Sequence, residues 1–266
     1  MLGNAGTGIY RRVTRVCHSA GMGIFDDLAA EQERLEKVLA GLDEGQWATA
    51  SGAAGWTIAD VVLHLAQSEE AAAGTAAHGT LRGGLAAVAG GTMDERADNA
   101  VRNERTAPAE IFARWQRARQ AALAAMRAAD PDQPVQWMVG TIKPATLATT
   151  RLAEHWAHGL DITGPLGVDL PDTDRLRHIA WLAHRTLPYA LSVAGEAAVP
   201  VRCELTAPDG TEGWRFGPDD AESAITGAAG EFCRVAAQRL DPARSGLKAS
   251  GPHGATALRL VRTYAA

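Results

Sequence analysis

Apolar residues recur at helical spacing in four long segments, and this periodicity limits the possible folds more than any other feature of the chain. In the first segment the recurring residues are Phe25, Leu28, Leu35 and Leu39. Such spacing predicts amphipathic helices, because residues three and four positions apart lie on one helix face. The composition agrees, since 46% of the residues are hydrophobic but only 5% aromatic, which favours aliphatic helices. Four such helices with mostly short links predict a helical bundle.

The boundaries of two of these helices can be predicted from local signals. Thr57 is a candidate N-cap with Asp60 three residues later, so a helix should begin there and contain His64. The segment PDQPVQWMVGTIKPA predicts a loop, after which Thr146 or Thr149 should open the next helix. We expect the Gly-Pro pair at 164–165 to end that helix.

The sequence pattern changes after a fifth predicted helix in the segment from residue 172 to 195. Residues 201–216 alternate in polarity around a Pro-Asp-Gly turn, which predicts a β-hairpin. ESAITG can add a third strand, and two short helices should follow. We therefore predict a mainly α protein with an α+β part: an extension expected to be disordered (1–22), a helical bundle (23–165), and a linking helix with a smaller α+β domain (166–266).

Composition excludes several classes of function. The formal net charge of −5 gives no electrostatic footprint for nucleic acid or an anionic membrane surface, and no run approaches the roughly 18 apolar residues of a membrane span. The three cysteines, Cys17, Cys203 and Cys233, are too scattered for a disulfide framework. We expect a cytoplasmic protein with a small-molecule partner.

Glu154 and His158 carry the strongest chemical signal in the sequence. They lie four positions apart in RLAEHWAHGLDI, so both side chains can converge on one point of a helix face. His64 on a facing helix is the candidate third ligand. Two imidazoles and one carboxylate suit zinc or another divalent ion, and three protein ligands leave a position for water or substrate.

Spacing alone leaves simpler alternatives open. A Glu–His pair at this spacing is more often a solvated hydrogen bond, and His64 alone is more often a core histidine. His155 points about 100° away from Glu154 on the helix, so we expect it to pack or to lie on the surface. Trp56 and Trp156 should belong to the core or to a pocket wall.

Two motifs together resemble a known family. GWTIADVVLHLAQSE (55–69) and TTRLAEHWAHGLDI (149–162) are similar to the N-terminal module of mycothiol-dependent maleylpyruvate isomerases, which are DinB-like metal-binding four-helix bundles. The resemblance extends from residue 23 onward and indicates an actinobacterial branch with an α+β C-terminal domain. It implies a divalent metal, usually zinc, held by His64, Glu154 and His158.

The resemblance also implies thiol chemistry. Members of the family bind mycothiol between two domains, and a thiol coordinated to a metal has a lowered pKa, which supplies the thiolate nucleophile. Arg239 is the nearest match to the catalytic arginine of the family, although Gln238 stands where the family has glycine. Asp161 either orients His158 or caps the helix.

Three functional hypotheses follow. The first is a metal-dependent isomerase or thiol transferase that uses mycothiol. The second is a lyase, hydrolase or natural-product isomerase on the same bundle, in which metal-bound water or a substrate oxygen replaces the thiol. The third is a non-catalytic protein that binds a metal and a ligand.

Overall fold

Four long helices form the N-terminal bundle of the computed structural model, which describes residues 23–81, 91–138 and 140–263. The bundle helices are α1 (Ile24–Leu39), α3 (Ile58–His78), α5 (Pro108–Ala128) and α6 (Pro144–Leu166). The shorter helices α2 (Glu44–Trp47) and α4 (Met93–Glu104) lie between them in sequence. Helices α1 and α3 each pack against both α5 and α6. The predicted extension 1–22 lies outside the described residues.

The helix boundaries agree with the sequence signals at α3 and differ at α6. Thr57 caps α3 in a complete capping box with Asp60, as predicted. The prediction for the start of α6 is wrong, because the helix begins at Pro144, two residues or more before either threonine. Proline fits the first helical position because its fixed φ suits the helix and no hydrogen bond is lost there. The C-cap is Gly167, with φ 65°, so α6 continues through the predicted stop at 164–165.

The predicted loop before α6 contains a small hairpin. Strands β1 (Val135–Trp137) and β2 (Gly140–Ile142) pair antiparallel. The side chains of Val135 and Trp137 are buried, so the segment is held by apolar contacts. Such a short pair with one buried face is difficult to distinguish from a loop by sequence pattern.

A long helix and a four-stranded mixed sheet build the C-terminal part. Helix α7 (Leu176–Val193) leads to β3 (Val201–Thr206) and β4 (Gly213–Phe216), which form the predicted antiparallel hairpin. Strand β5 (Ser223–Ala228) is the expected third strand and pairs parallel to β3, whereas β6 (Lys248–Ser250) was not predicted. The strand order is β4-β3-β5-β6. The predicted short helices are α8 (Ala229–Ala236) and α9 (Gly254–Leu260).

One large apolar cluster connects the two parts of the chain. It contains Leu152 and Trp156 of α6 together with Leu176 of α7 and Phe232 of α8. The two predicted units thus share an apolar core. The domain boundary near residue 165 remains a prediction. The Cys203 side chain is buried, and burial raises its pKa to about 12. Among the described helices, none is long and apolar enough to cross a membrane.

Candidate metal centre

Three side chains from two neighbouring helices meet at one point of the bundle. His64 lies in the second turn of α3, and Glu154 and His158 lie one turn apart on α6. The Glu154 Oε2 atom is 3.7 Å from His64 Nε2 and 3.5 Å from His158 Nε2. One donor atom from each of the three residues lies within 4.8 Å of the other two. The sequence-predicted ligand set is therefore brought together in space.

Asp161 fixes the orientation of one imidazole. Its Oδ2 atom lies 2.9 Å from His158 Nδ1, and this contact leaves Nε2 directed toward Glu154. A carboxylate in this position also makes the imidazole a stronger ligand. His64 differs, because its buried Nδ1 has no hydrogen-bond partner among the described residues.

Arg239 joins the site from the C-terminal part of the chain. Its Nε atom donates to Asp161 Oδ1 at 3.1 Å, and its Nη2 atom donates to the same Oδ2 that contacts His158. Beside this ion pair lies an open cleft of about 610 Å³, lined by Gly52, Ala53, Ala54, Asp161, Gln238, Arg239, Leu240 and Asp241. Asp161 thus connects the candidate metal ligands with a cleft between the bundle and the segment after α8.

The two tryptophans named from the sequence occupy different environments. The ring centroid of Trp56 lies 5.1 Å from that of His64 and 6.5 Å from that of His158. The indole of Trp56 therefore covers both candidate metal-binding imidazoles. Trp156 is fully buried in the core and stacks under Arg234 at 5.6 Å, so it does not line the centre.

A family model described as "Mycothiol maleylpyruvate isomerase N-terminal domain" matches residues 28–163. The chain belongs to this family. Two uncharacterized proteins of Mycobacterium tuberculosis, MT0041 (strain CDC 1551 / Oshkosh) and Rv0036c (strain H37Rv), are each 34% identical to it over 245 residues, which is 90% of this chain and 94% of each relative. The predicted resemblance is confirmed, and the family is one of enzymes.

The likeness extends to solved structures. Two crystal structures of the mycothiol-dependent maleylpyruvate isomerase, one of a mutant, match with a TM-score of 0.57 and 17% sequence identity. The match covers 86% of this chain and 95% of those chains. At this identity it confirms the predicted fold class, a helical bundle with a smaller α+β part.

The charges around His64, Glu154 and His158 favour a bound positive charge at this centre. Burial lowers the pKa of His64. Burial acts to raise the pKa of Glu154, but the imidazoles of His158 and His64, at 3.5 and 3.7 Å, outweigh it and hold that pKa well below the usual carboxyl range. Burial acts to lower the pKa of His158, but Asp161 and Glu154 raise it above the usual value. The two carboxylates thus attract either a proton on His158 or a metal ion.

A buried polar network supports the helix that carries Glu154. Arg151 Nε donates to Glu69 Oε1 at 2.8 Å, and its Nη2 donates to Ser68 Oγ at 2.7 Å. His155 contacts the Arg151 carbonyl through Nδ1, and Trp115 Nε1 donates to its Nε2 at 3.1 Å. Burial and the charge of Arg151 lower the pKa of His155 to about 3. Of the two alternatives expected for His155, packing or a surface position, this neutral, buried ring agrees with packing.

Sequence reasoning missed two residues beside the centre. Asp98 of α4 accepts a hydrogen bond from Trp56 Nε1 at 3.1 Å, although no motif marks it. Gly52 donates its N–H to the Asp161 carbonyl at 2.8 Å, and a Cβ atom there would lie 3.0 Å from Asp161 Cα. Only the glycine-rich composition before Trp56 signals such a close backbone approach.

Proposed function

We propose that this protein is a divalent-metal-dependent enzyme that uses a low-molecular-weight thiol, mycothiol, to isomerise an unsaturated acid such as maleylpyruvate. Zinc is the proposed metal, and His64, Glu154 and His158 are its proposed ligands. The convergence of three donor atoms within 4.8 Å, from helices α3 and α6, carries the proposal. Family membership supports the thiol and the reaction class.

The donor set fits a zinc ion. Zinc binds imidazole nitrogen and carboxylate oxygen at about 2.0–2.2 Å, so donors around a tetrahedral ion lie roughly 3.3–3.6 Å apart. The separations of 3.5 and 3.7 Å from Glu154 Oε2 to the two imidazoles need little adjustment. Three protein ligands leave one coordination position for an exogenous group, as in catalytic rather than structural zinc sites.

A bound divalent ion would lower the pKa of a coordinated thiol and so maintain thiolate at neutral pH. The residues of the chain supply orientation and charge around that chemistry. Asp161 holds His158 with Nε2 toward Glu154, so that this nitrogen would be free to bind the ion. Arg239 offers a guanidinium at the border of the cleft, where it suits a carboxylate of the substrate.

Metal analysis and a thiol-dependent assay test this function together. Wild type and the variant His78→Ala should bind one zinc per chain, because His78 is exposed at the far end of the same helix. His64→Ala should lose the metal while the circular dichroism spectrum is unchanged. Isomerisation of maleylpyruvate should require both metal and mycothiol.

Two outcomes would contradict the proposal. If His64→Ala retains the metal content of wild type, the ligand assignment is wrong. If the metal-loaded protein converts the substrate equally well in the absence of thiol, the centre acts through water or substrate oxygen, and the thiol hypothesis is wrong.

A further inference from the structure

Helix α4 is held against the metal-bearing part of the bundle mainly by polar contacts. Its buried residues are small, namely Ala97, Ala100 and Val101. Arg105, directly after α4, binds both carboxylate oxygens of Asp60 at 2.8 and 3.0 Å. Polar contacts of this kind fix the position of a helix that buries little apolar surface of its own.

A second polar contact holds α4 one turn beyond His64. The amide of Gln67 on α3 is fully buried and donates to the Ala100 carbonyl at 2.9 Å and to Glu104 at 3.1 Å. Asp60 and Gln67 lie on either side of His64 along α3. The backbone of α4 is therefore located relative to His64 from both directions.

Asp98 precedes both anchors on α4, and each of its carboxylate oxygens accepts a hydrogen bond. Oδ1 accepts from Trp56 Nε1 at 3.1 Å, and Oδ2 accepts from Arg102 Nε at 2.7 Å. The first contact reaches the indole that covers His64 and His158. The second is an exposed pair within α4, of the kind that contributes little stability.

The geometry of the three rings shows what a fixed indole does. The Trp56 and His158 rings are stacked, with 27° between their planes, and the imidazoles of His64 and His158 meet edge to face with centroids 5.1 Å apart. Because His64 Nδ1 has no hydrogen-bond partner among the described residues, its imidazole is restrained by the 3.7 Å contact of Nε2 with Glu154 and by packing against the Trp56 and His158 rings. An indole free to rotate would remove part of that restraint.

We propose that Asp98 is a positioning residue of the metal centre, which acts through the Trp56 indole to hold the imidazoles of His64 and His158 in their ligating orientation. This inference rests on the proposed metal site. Asp98 touches neither the ligands nor the cleft, so its effect on the metal passes through one hydrogen bond. Removal of a single hydrogen bond predicts a change of about three- to tenfold in a rate or affinity.

The rate of metal loss to an excess of chelator measures this role. Asp98→Ala should release zinc about three to ten times faster than wild type. Asp98→Asn keeps an acceptor oxygen, and we expect a rate within about twofold of wild type. Arg102→Gln is the matched control, because it removes the pair on α4 but leaves the bond from Trp56, and it should release zinc at the wild-type rate.

Two further measurements separate positioning from simple stabilisation. Trp56→Phe keeps an aromatic ring without the N–H, so it should reproduce Asp98→Ala, and the double variant should lose no more than either single one. The visible absorption spectrum of the cobalt-substituted protein should change in Asp98→Ala and Trp56→Phe but not in Arg102→Gln. The thermal midpoint of the metal-free protein should differ little among Asp98→Ala, Asp98→Asn and Arg102→Gln.

The inference is overturned if Asp98→Ala releases zinc at the wild-type rate, or if Arg102→Gln accelerates release as much as Asp98→Ala does. Additive effects of Trp56→Phe and Asp98→Ala would also overturn it, because the two residues would then act separately. If Asp98→Ala fails to fold, the rates of zinc release from Trp56→Phe and Asp98→Asn still test the inference. Failure of wild type to bind metal through His64 would instead refute the proposed function.

Discussion

The link between Asp161 and His158 allows a quantitative test of how the proposed metal ligands are oriented. Asp161→Ala removes the only carboxylate in contact with His158 Nδ1 among the described residues, a contact of 2.9 Å. The imidazole then loses both its fixed orientation and part of its basicity. A hydrogen bond to a charged group contributes about 1.5–3 kcal/mol, so metal affinity should fall roughly 10–100-fold.

Competition with a chromogenic chelator near neutral pH measures this affinity directly. Asp161→Asn should lie between wild type and Asp161→Ala, because its amide oxygen can still accept from Nδ1. Arg239→Gln is the control. This variant keeps the contact between Asp161 and His158 but removes the arginine that also binds Asp161 Oδ2. It should therefore bind metal at least as tightly as wild type.

Folded Asp161→Ala with an affinity within about twofold of wild type would refute the reasoning. Asp161 would then serve the junction between α6 and the C-terminal part rather than His158. A fall of equal size in Arg239→Gln would refute it as well, because the loss would follow the ion pair and not the imidazole contact.

Three more predictions concern stability. Arg151→Met should lower the free energy of unfolding, measured by urea titration, by about 3–5 kcal/mol, because it leaves the Glu69 carboxylate buried without its cation. A loss below about 1 kcal/mol would contradict this. Gln238 has a φ of 62°, a backbone conformation that glycine adopts without strain. Gln238→Gly should therefore be more stable than Gln238→Ala by about 0.5–1 kcal/mol. Equal stability of the two variants would show that no strain is present. Gly52→Ala should cost about 1–3 kcal/mol, because its Cβ would press on Asp161, and an unchanged thermal midpoint would show that the loop shifts freely.

Sequence patterns predicted the parts of the fold that depend on regular spacing. The bundle helices follow from apolar periodicity, and the capping box of Thr57 and Asp60 fixed the start of α3 to the residue. The start of α6 was missed because Thr146 and Thr149 are both good caps, while the proline at the first helical position is the feature that decides. Strand β6 was missed because it is exposed and only three residues long, so its sequence carries no alternation that could be recognised.

The candidate centre was predictable for a different reason. Glu154 and His158 are neighbours on one helix, and their convergence is a property of the helix repeat. No spacing rule connects His64 with α6; it was named because a third ligand in a bundle projects inward from a facing helix, and the resemblance then implied the same residue. Asp98 lies 42 residues after Trp56 in the chain, and such a long-range pair between a loop and a polar helix leaves no local trace. Tertiary contacts alone reveal it.

The double use of Asp161 Oδ2 limits how this protein can change during evolution. Because one oxygen contacts both the imidazole of a proposed metal ligand and the arginine of the cleft, we expect a mutation that alters recognition at the cleft to alter also how tightly the proposed metal is retained. New substrate preferences should therefore arise through paired substitutions at residues 161 and 239. Grafting a different C-terminal part onto this bundle should likewise change the affinity for the proposed metal, even if all three proposed ligands are kept.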